Sequence, residues 1–253
     1  MIGYRAPAVQ KAFQLLERVA ASENGIRLSK VSQDLGFSKS TTHGLIQALL
    51  AVGALDRSPH QKRLFLGPSI MDMAFKSKNY YTISKEAMPI LDGLCRRIGE
   101  TVFLGVLSDS KGVILASARA SKALAISSSP GDTIPIFAGA VGKAYLASLS
   151  DKEALGIIRK KGLPRYTPCS IVDEKAYLKA LNRVLQDGYA LDNEEYLAGV
   201  RAMAVNLGIH RGLPLLIWVV GFADSMSEDT MAHIIRETLD AAETLKLVFD
   251  AEK

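Results

Sequence analysis

The sequence predicts an α+β protein in which a small, mainly helical N-terminal domain precedes a larger domain of mixed strands and helices. Three observations lead to this prediction. At 253 residues, the chain is longer than most single domains. Residues 1–78 contain 11 Lys and Arg against 5 Asp and Glu, whereas residues 79–253 contain 20 against 21, so the two parts differ in charge. Apolar residues recur at helical spacing in the first part, whereas strand-like and helix-like segments alternate in the second.

The composition is that of an ordinary folded protein. Apolar residues make up 48% and charged residues 23% of the chain, which excludes disordered, collagen-like and disulfide-rich classes. The longest apolar run, residues 213–223, is too short to cross a bilayer and predicts a buried strand. No secretion signal is recognisable, and Cys95 and Cys169 lack CxxC spacing. We therefore expect a cytoplasmic protein with no membrane segment, metal or cofactor.

The N-terminal domain begins with two predicted helices. Apolar residues at helical spacing predict the first over residues 8–21, with one apolar stripe formed by Val9, Ala12, Phe13, Leu16, Val19 and Ala20. Ser29 is expected to cap the second, over residues 30–35, because a serine hydroxyl accepts hydrogen bonds from the free N–H groups of the first turn.

A turn containing Gly36 leads to a third helix, which Ser38 caps and which runs to about residue 52. A helix, a Gly-containing turn and a second helix are the parts of the DNA-binding helix-turn-helix. The third helix begins with short polar side chains, which are poor helix formers but suit contacts with bases and phosphates. A solvated helix face is the alternative. The expected DNA contacts on this helix are Ser38, Lys39, Ser40, Thr41, Thr42, His43 and Gln47.

Two short strands around a polar turn predict a wing after the third helix. Residues 54–57 and 62–66 have strand character, and residues 58–61 form the turn. Cations on these strands could simply protect an edge strand from pairing with another chain. Because they lie beside the third helix, the reading helix that is expected to contact bases, they could also neutralise DNA phosphates. The expected phosphate contacts are Arg57, Lys62 and Arg63. Residues 1–67 are therefore predicted to form a winged helix-turn-helix domain.

Five segments of the chain carry a family resemblance: residues 28–46, 131–135, 142–147, 188–195 and 199–204. In these segments the sequence resembles the IclR family of bacterial and archaeal transcriptional regulators. The five segments occur in the family's order across nearly the whole chain. One departure is Gly44 in the reading helix, where many members have Arg, so we expect a phosphate or guanine contact of those members to be missing here.

The resemblance implies a linker helix over residues 68–80 and a GAF-like effector-binding domain over residues 81–253. It also implies dimers that often pair into tetramers, an operator in double-stranded DNA, a small-molecule effector and, most often, repression. The residues themselves support the mixed fold class. Segments 101–107 and 215–220 have strand patterns, and segment 231–249 is an amphipathic helix.

An effector site is expected at the small residues 138–142, ahead of a helix that starts near Lys143. Free N–H groups at a helix N-terminus attract carboxylates, although close helix packing also explains such residues. In acid-sensing members of the family, an Asp, a Cys and two Ser add contacts, and only the Asp is kept here, as Asp192. The other three positions are apolar: Ala202, Trp218 and Val220.

The loss of these donors favours a carboxylate whose body is apolar or aromatic and larger than glyoxylate. Asp192 has an alternative role, since Asp192-x-x-Glu195 resembles the start of a capped helix. The apolar positions extend the pocket wall or belong to the core. The complete set of expected effector contacts is Ile126, Ile134, Gly139, Ala140, Val141, Asp192, Val200, Ala202, Trp218 and Val220.

No catalytic constellation is recognisable in the second domain. Residues 137–144 lack two required positions of a phosphate-binding loop, and no spacing joins Cys169, Asp192 and His210 into a thiol triad. The sequence therefore predicts a regulator and not an enzyme. The alternative is an enzyme or metabolite-binding protein whose basic segment only docks partners.

Overall fold

A computed structural model describes residues 6–58, 61–76, 79–108 and 111–251, without the side chains of Phe75 and Asn79. The chain divides into two compact units, Met1–Lys78 (unit 1) and Asn79–Lys253 (unit 2). The finer division at residues 67 and 80 stays a prediction.

Unit 1 is a winged helix-turn-helix, as predicted. Its described elements are α1 Pro7–Ala20, β1 Ile26–Arg27, α2 Leu28–Leu35, α3 Lys39–Ala51, β2 Leu55–Arg57, β3 Arg63–Leu66 and α4 Pro68–Lys76. The strands are antiparallel in the order β1-β3-β2, and β1 was not predicted. The helices and strands enclose one apolar core of Leu15, Val19, Ile26, Val31, Ile46, Leu55 and Leu64.

The first helix buries only the C-terminal part of the predicted stripe, where Val19 is in the core and Leu16 packs against it. Leu15 and Val19 are buried, whereas Val9 and Phe13 are 55% and 64% exposed. Apolar residues occur on two faces of α1, and only the face with Leu15 and Val19 packs against β3 and α2. Periodicity alone could not choose between these faces because the choice depends on the partner strand.

Ser38 caps α3 as predicted, whereas Ser29 does not cap α2. The Ser38 hydroxyl accepts a hydrogen bond from the Thr41 N–H at 3.2 Å. The N-cap position of α2 is Arg27, whose side chain makes no capping bond. Arg27 is still paired with β3, so the chain passes directly from strand to helix and Ser29 falls inside the first turn.

Unit 2 is a six-stranded antiparallel sheet with helices on both faces. Its described elements are α5 Asn79–Ile98, β4 Thr101–Leu107, β5 Lys111–Ala118, β6 Thr133–Pro135, α6 Gly139–Leu146, α7 Asp151–Lys161, α8 Glu174–Asp187, β7 Ala190–Asn193, β8 Val200–His210, β9 Leu213–Phe222 and α9 Glu228–Asp250. The strand order is β6-β5-β4-β9-β8-β7. The predicted strands and the predicted final helix correspond to β4, β9 and α9. Among the described helices, none is sufficiently long and apolar to span a membrane.

The two faces of this sheet carry separate apolar cores. Side chains alternate between faces along a strand, so Ile217 and Val219 of β9 pack with α5 and α9, whereas Leu216 and Trp218 pack with α6, α7 and α8. This alternation places Trp218 on the face that carries the expected effector site.

We predict that Ser38→Ala lowers the free energy of unfolding of unit 1 by about 1 kcal/mol, because the Thr41 N–H loses its cap. Amide hydrogen exchange across α3 measures this loss separately from unit 2. The matched control is Ser29→Ala, which removes no capping bond and should leave exchange nearly unchanged. Equal effects of the two substitutions would contradict the assigned cap.

Candidate functional site

Packing against the core of unit 1 sets which side of α3 faces solvent. Thr42 is fully buried, and its hydroxyl donates to the Ser38 carbonyl oxygen at 3.0 Å. Thr42 lies one helical turn before the core residue Ile46, so both side chains point inward. The prediction that Thr42 contacts DNA is therefore wrong.

The outward side of α3 carries four exposed residues on successive turns, which we call the reading face: Ser40, His43, Gly44 and Gln47. Lys39 is also exposed, and Thr41 is half-buried. The Ser38 hydroxyl lies 2.9 Å from the Thr41 hydroxyl and 3.1 Å from the Ser40 hydroxyl, so all three hydroxyls belong to the cap, and Ser40 also lies on the reading face. The polar groups of His43 and Gln47 face solvent and make no hydrogen bond within the described part of unit 1.

The wing presents two of its three predicted cations to solvent. Arg57 and Lys62 are exposed, at the ends of β2 and of the turn before β3. Arg63 differs from the prediction because its Nη1 donates to the carbonyl oxygens of Asn24 and Gly25, at 3.2 and 2.9 Å. Its guanidinium thus holds the α1–β1 turn against β3. Pro59 and His60 of the predicted turn lie outside the described residues.

The small residues expected to precede a helix are the first turns of α6 itself, which begins at Gly139. A Cβ on Gly139, where φ is +42°, would lie 1.8 Å from Asp192 Oδ2, and a Cβ on Gly142 would lie 2.2 Å from the Ile136 carbonyl oxygen. Both glycines are therefore explained by close packing. The N-cap residue, Ala138, offers no side-chain cap to the first N–H groups of the helix.

Asp192 lies beside this helix terminus, on the edge strand β7. Its Oδ1 accepts the Glu195 N–H at 2.6 Å. Burial raises the pKa of the Asp192 carboxyl to about 6, and the nearby Glu195 charge also raises it, while the Glu195 N–H and Lys143 act in the opposite direction. The predicted helix after Asp192 does not form, since a turn follows β7, and the carboxylate caps that turn instead.

A buried ion pair next to Asp192 was missed in the sequence. Lys143 of α6 is 5% exposed and pairs with Glu195. The Tyr177 hydroxyl of α8 is buried with no hydrogen-bond partner in the described chain, and burial raises its pKa. Gly139, Tyr177 and Glu195 line a narrow cleft with a free volume of only about 10 Å³, room for about one water molecule. The available signal was Lys143 itself, a lysine inside an otherwise apolar helix.

The structure brings together some, but not all, of the apolar residues expected to line the effector pocket. Asp192, Ala202 and Val220 form one row across β7, β8 and β9. Trp218 is 5% exposed and stacks on Phe103, with ring centroids 5.4 Å apart. One apolar cluster contains Ile134, Ala140, Val141, Ala202, Trp218 and Val220. The half-buried Ile126 and Val200 are outside that cluster of described residues.

The rejected thiol triad does not assemble, because His210 lies far from Asp192. Cys169 is exposed in the loop before α8, and His210 is buried at the end of β8. Asp192 pairs with Ala202, eight residues before His210, a separation of roughly 26 Å along an extended strand. Within the described ranges, no group of three His, Cys, Asp or Glu residues could hold a metal ion.

Comparison with known proteins places both units in one family. Residues 8–59 match the family model described as the IclR helix-turn-helix domain, and residues 76–247 match the model described as the C-terminal part of the bacterial transcriptional regulator IclR. The chain is 28% identical over 235 residues to the HTH-type transcriptional regulator XynR of Escherichia coli K12, covering 93% of each protein. It is 26% identical over 248 residues to the transcriptional repressor IclR of the same strain, covering 96% of this chain and 89% of the repressor.

A solved structure matches unit 2 in particular. It is the inducer-binding domain of the transcription factor PobR from Acinetobacter, as a double mutant in complex with 3-hydroxybenzoic acid. The TM-score is 0.59 at 26% identity, over 64% of this chain and 97% of that one. These relatives are named as regulators, repressors or transcription factors and not as enzymes.

We predict that Asp192→Asn stabilises unit 2 at neutral pH. A carboxyl whose pKa is raised from 3.8 to about 6 stabilises the fold fully below pH 4, and this contribution is lost as pH rises through 6. The variant, which keeps an acceptor for the Glu195 N–H, should gain up to about 3 kcal/mol over wild type above pH 7. Urea unfolding followed by Trp218, the one tryptophan of the chain, monitors unit 2.

The control is Glu174→Gln, whose difference in stability from wild type should have the opposite pH dependence. A hydrogen bond from Arg159 lowers the pKa of Glu174, so its contribution is present above pH 4.5 and lost on acidification. A difference between wild type and Asp192→Asn that does not vary with pH would contradict the assignment for Asp192.

Proposed function

The chain belongs to the IclR family of transcriptional regulators, and we propose that it represses transcription by binding a specific double-stranded DNA sequence through unit 1. The observation that carries this proposal is the reading face, a row of exposed short and polar residues on a capped helix of a winged helix-turn-helix. A helix in this position enters the major groove, where base edges present a distinct pattern for each base pair.

Within this proposal the two parts of unit 1 have different tasks. Ser40, His43 and Gln47 offer donors and acceptors to base edges, which determine sequence preference. Arg57 and Lys62 of the wing neutralise phosphates, which adds affinity for any sequence. Lys39, exposed at the start of α3, suits a phosphate as well. Arg63 supports the wing from inside because its guanidinium is bound to backbone carbonyls.

We also propose that unit 2 binds a small carboxylate effector with an apolar or aromatic body. The first N–H groups of α6, near Ala140 and Val141, have no side-chain cap and suit an anion. Ala202 and Val220 offer apolar surface beside them. The related PobR domain supports the ligand class, since it is solved with 3-hydroxybenzoic acid. Ile126, Ile134, Val200 and the Trp218 ring complete the proposed wall.

We further propose that the protein acts in the cytoplasm as a dimer or tetramer, so that two copies of unit 1 reach two half-sites. The rival proposal, an enzyme or metabolite-binding protein with a basic docking segment, has no support in the names of the relatives. It predicts no sequence preference on DNA.

We predict that the reading face and the wing respond differently to alanine substitution. A Ser40, His43, Gln47 triple variant should lose preference for duplexes that the wild-type chain selects from a random library, because base contacts specify sequence. An Arg57, Lys62 double variant should weaken binding to all duplexes and reduce the slope of log affinity against log salt by about 0.9 per lost phosphate contact. Gel shifts at several salt concentrations measure both quantities.

The matched control removes two cations elsewhere. Lys175 and Lys179 lie exposed on α8 of unit 2, and their replacement by Ala should leave both preference and salt slope unchanged. An unchanged slope in the wing variant would contradict the wing assignment. An unchanged preference in the triple variant would contradict the reading face.

We predict that Val220→Ser weakens binding of 3-hydroxybenzoate by about 1 kcal/mol and improves binding of glyoxylate, because it exchanges apolar surface for a hydroxyl. Titration followed by the fluorescence of Trp218 measures both affinities. Val248→Ser on α9 is the control, since Val248 is similarly half-buried on the other face of the sheet. The proposed pocket would be contradicted if the two substitutions changed ligand affinity equally, or if the wild-type chain bound only two-carbon acids.

A further inference from the structure

Gly44 occupies a position where glycine is costly. It lies in the interior of α3, six residues after the N-cap Ser38 and seven before the end of the helix at Ala51. Glycine in a helix interior is destabilising relative to alanine, because its backbone loses more conformational freedom on folding. A reason for its presence is therefore expected either within the chain or outside it.

Packing within unit 1 gives no such reason. The other described glycines of unit 1 are all explained: Gly25, Gly36 and Gly53 have positive φ, and a Cβ on Gly67 would lie 2.1 Å from the Gly53 carbonyl oxygen. Gly44 has no positive φ, and a Cβ built on it meets no atom within 4 Å. An alanine would fit the folded unit without any displacement.

The position of Gly44 points to a surface outside the chain. Ser40, Gly44 and Gln47 are separated by four and three residues, so they lie on one line along α3, with His43 beside it. Gly44 is the centre of the exposed reading face, and it leaves a gap between two side chains that are expected to reach bases.

We propose that Gly44 is a specificity-determining residue, because the missing side chain lets the backbone of α3 approach the base edges in the DNA major groove. This inference rests on the proposed function and deepens it. The serine side chain of Ser40 is short and reaches a base edge only if the helix axis lies deep in the groove. In this chain, a side chain at the centre of the face would lie between the α3 backbone and the floor of the groove and would hold the short Ser40 away from its partner.

The test separates folding from recognition, since Gly44→Ala should raise thermal stability and lower the affinity for selected DNA. Gly44→Ala should raise the melting temperature by roughly 2 to 8 °C, because the helix gains propensity without a clash. The same variant of the full chain should bind duplexes selected by wild type from a random library at least about 5-fold more weakly, the loss expected for one good base contact. Its affinity for an unselected duplex at the same salt concentration should stay within 2-fold of wild type.

Gly156→Ala is the matched control. Gly156 lies exposed in the interior of α7 in unit 2, and a Cβ there also meets no atom within 4 Å. This variant should gain stability and keep wild-type affinity for the selected duplexes.

Gly44→Ala that binds the selected duplexes as tightly as wild type would overturn the role of Gly44 and leave the proposed function standing. Equal weakening on selected and unselected duplexes would also overturn it, since that result indicates a general loss of binding. If wild type enriches no sequence from the library, the proposed function fails, and this inference fails with it.

Discussion

Two glycines allow helix α6 to lie directly on its surroundings, and the site in unit 2 depends on that contact. At Gly142 the helix touches the backbone of Ile136, and at Gly139 it touches the carboxylate of Asp192. This closeness buries the whole helix, including Lys143, whose charge then requires the partner that Glu195 supplies. Glu195 in turn lies in the turn that Asp192 caps. The helix terminus, the acidic side chain and the buried ion pair are thus one connected arrangement.

Close packing also shapes unit 1, where the side of α3 that enters the core determines which side is exposed. The Ser38 cap fixes the first turn of α3, and the side chains of Thr42 and Ile46 point into the core. The opposite side is left to Ser40, Gly44 and Gln47. Unit 1 therefore needs no special binding loop, because orienting one helix correctly creates a continuous exposed face beside the wing.

Features that depend on local chemistry could be predicted from the sequence. The Ser38 cap, the strands β4 and β9 and the helix-turn-helix itself follow from short-range patterns. Features that depend on distant partners could not. The buried face of α1 is chosen by β3, Arg63 is held by carbonyl groups 38 and 39 residues away, and Lys143 is paired across 52 residues. Thr42 was misassigned because a polar residue type suggested exposure, although its spacing from Ile46 indicated burial.

The central claim is that the exposed side of α3 lies in the major groove of DNA, and methylation interference on a selected duplex tests it most directly. Methylation of guanine N7 marks the major groove, and methylation of adenine N3 marks the minor groove. The account predicts that methylation of guanine N7 within the selected sequence blocks binding of the full chain, while methylation of adenine N3 within that sequence does not. Interference confined to adenine N3, or absent from both, would contradict it.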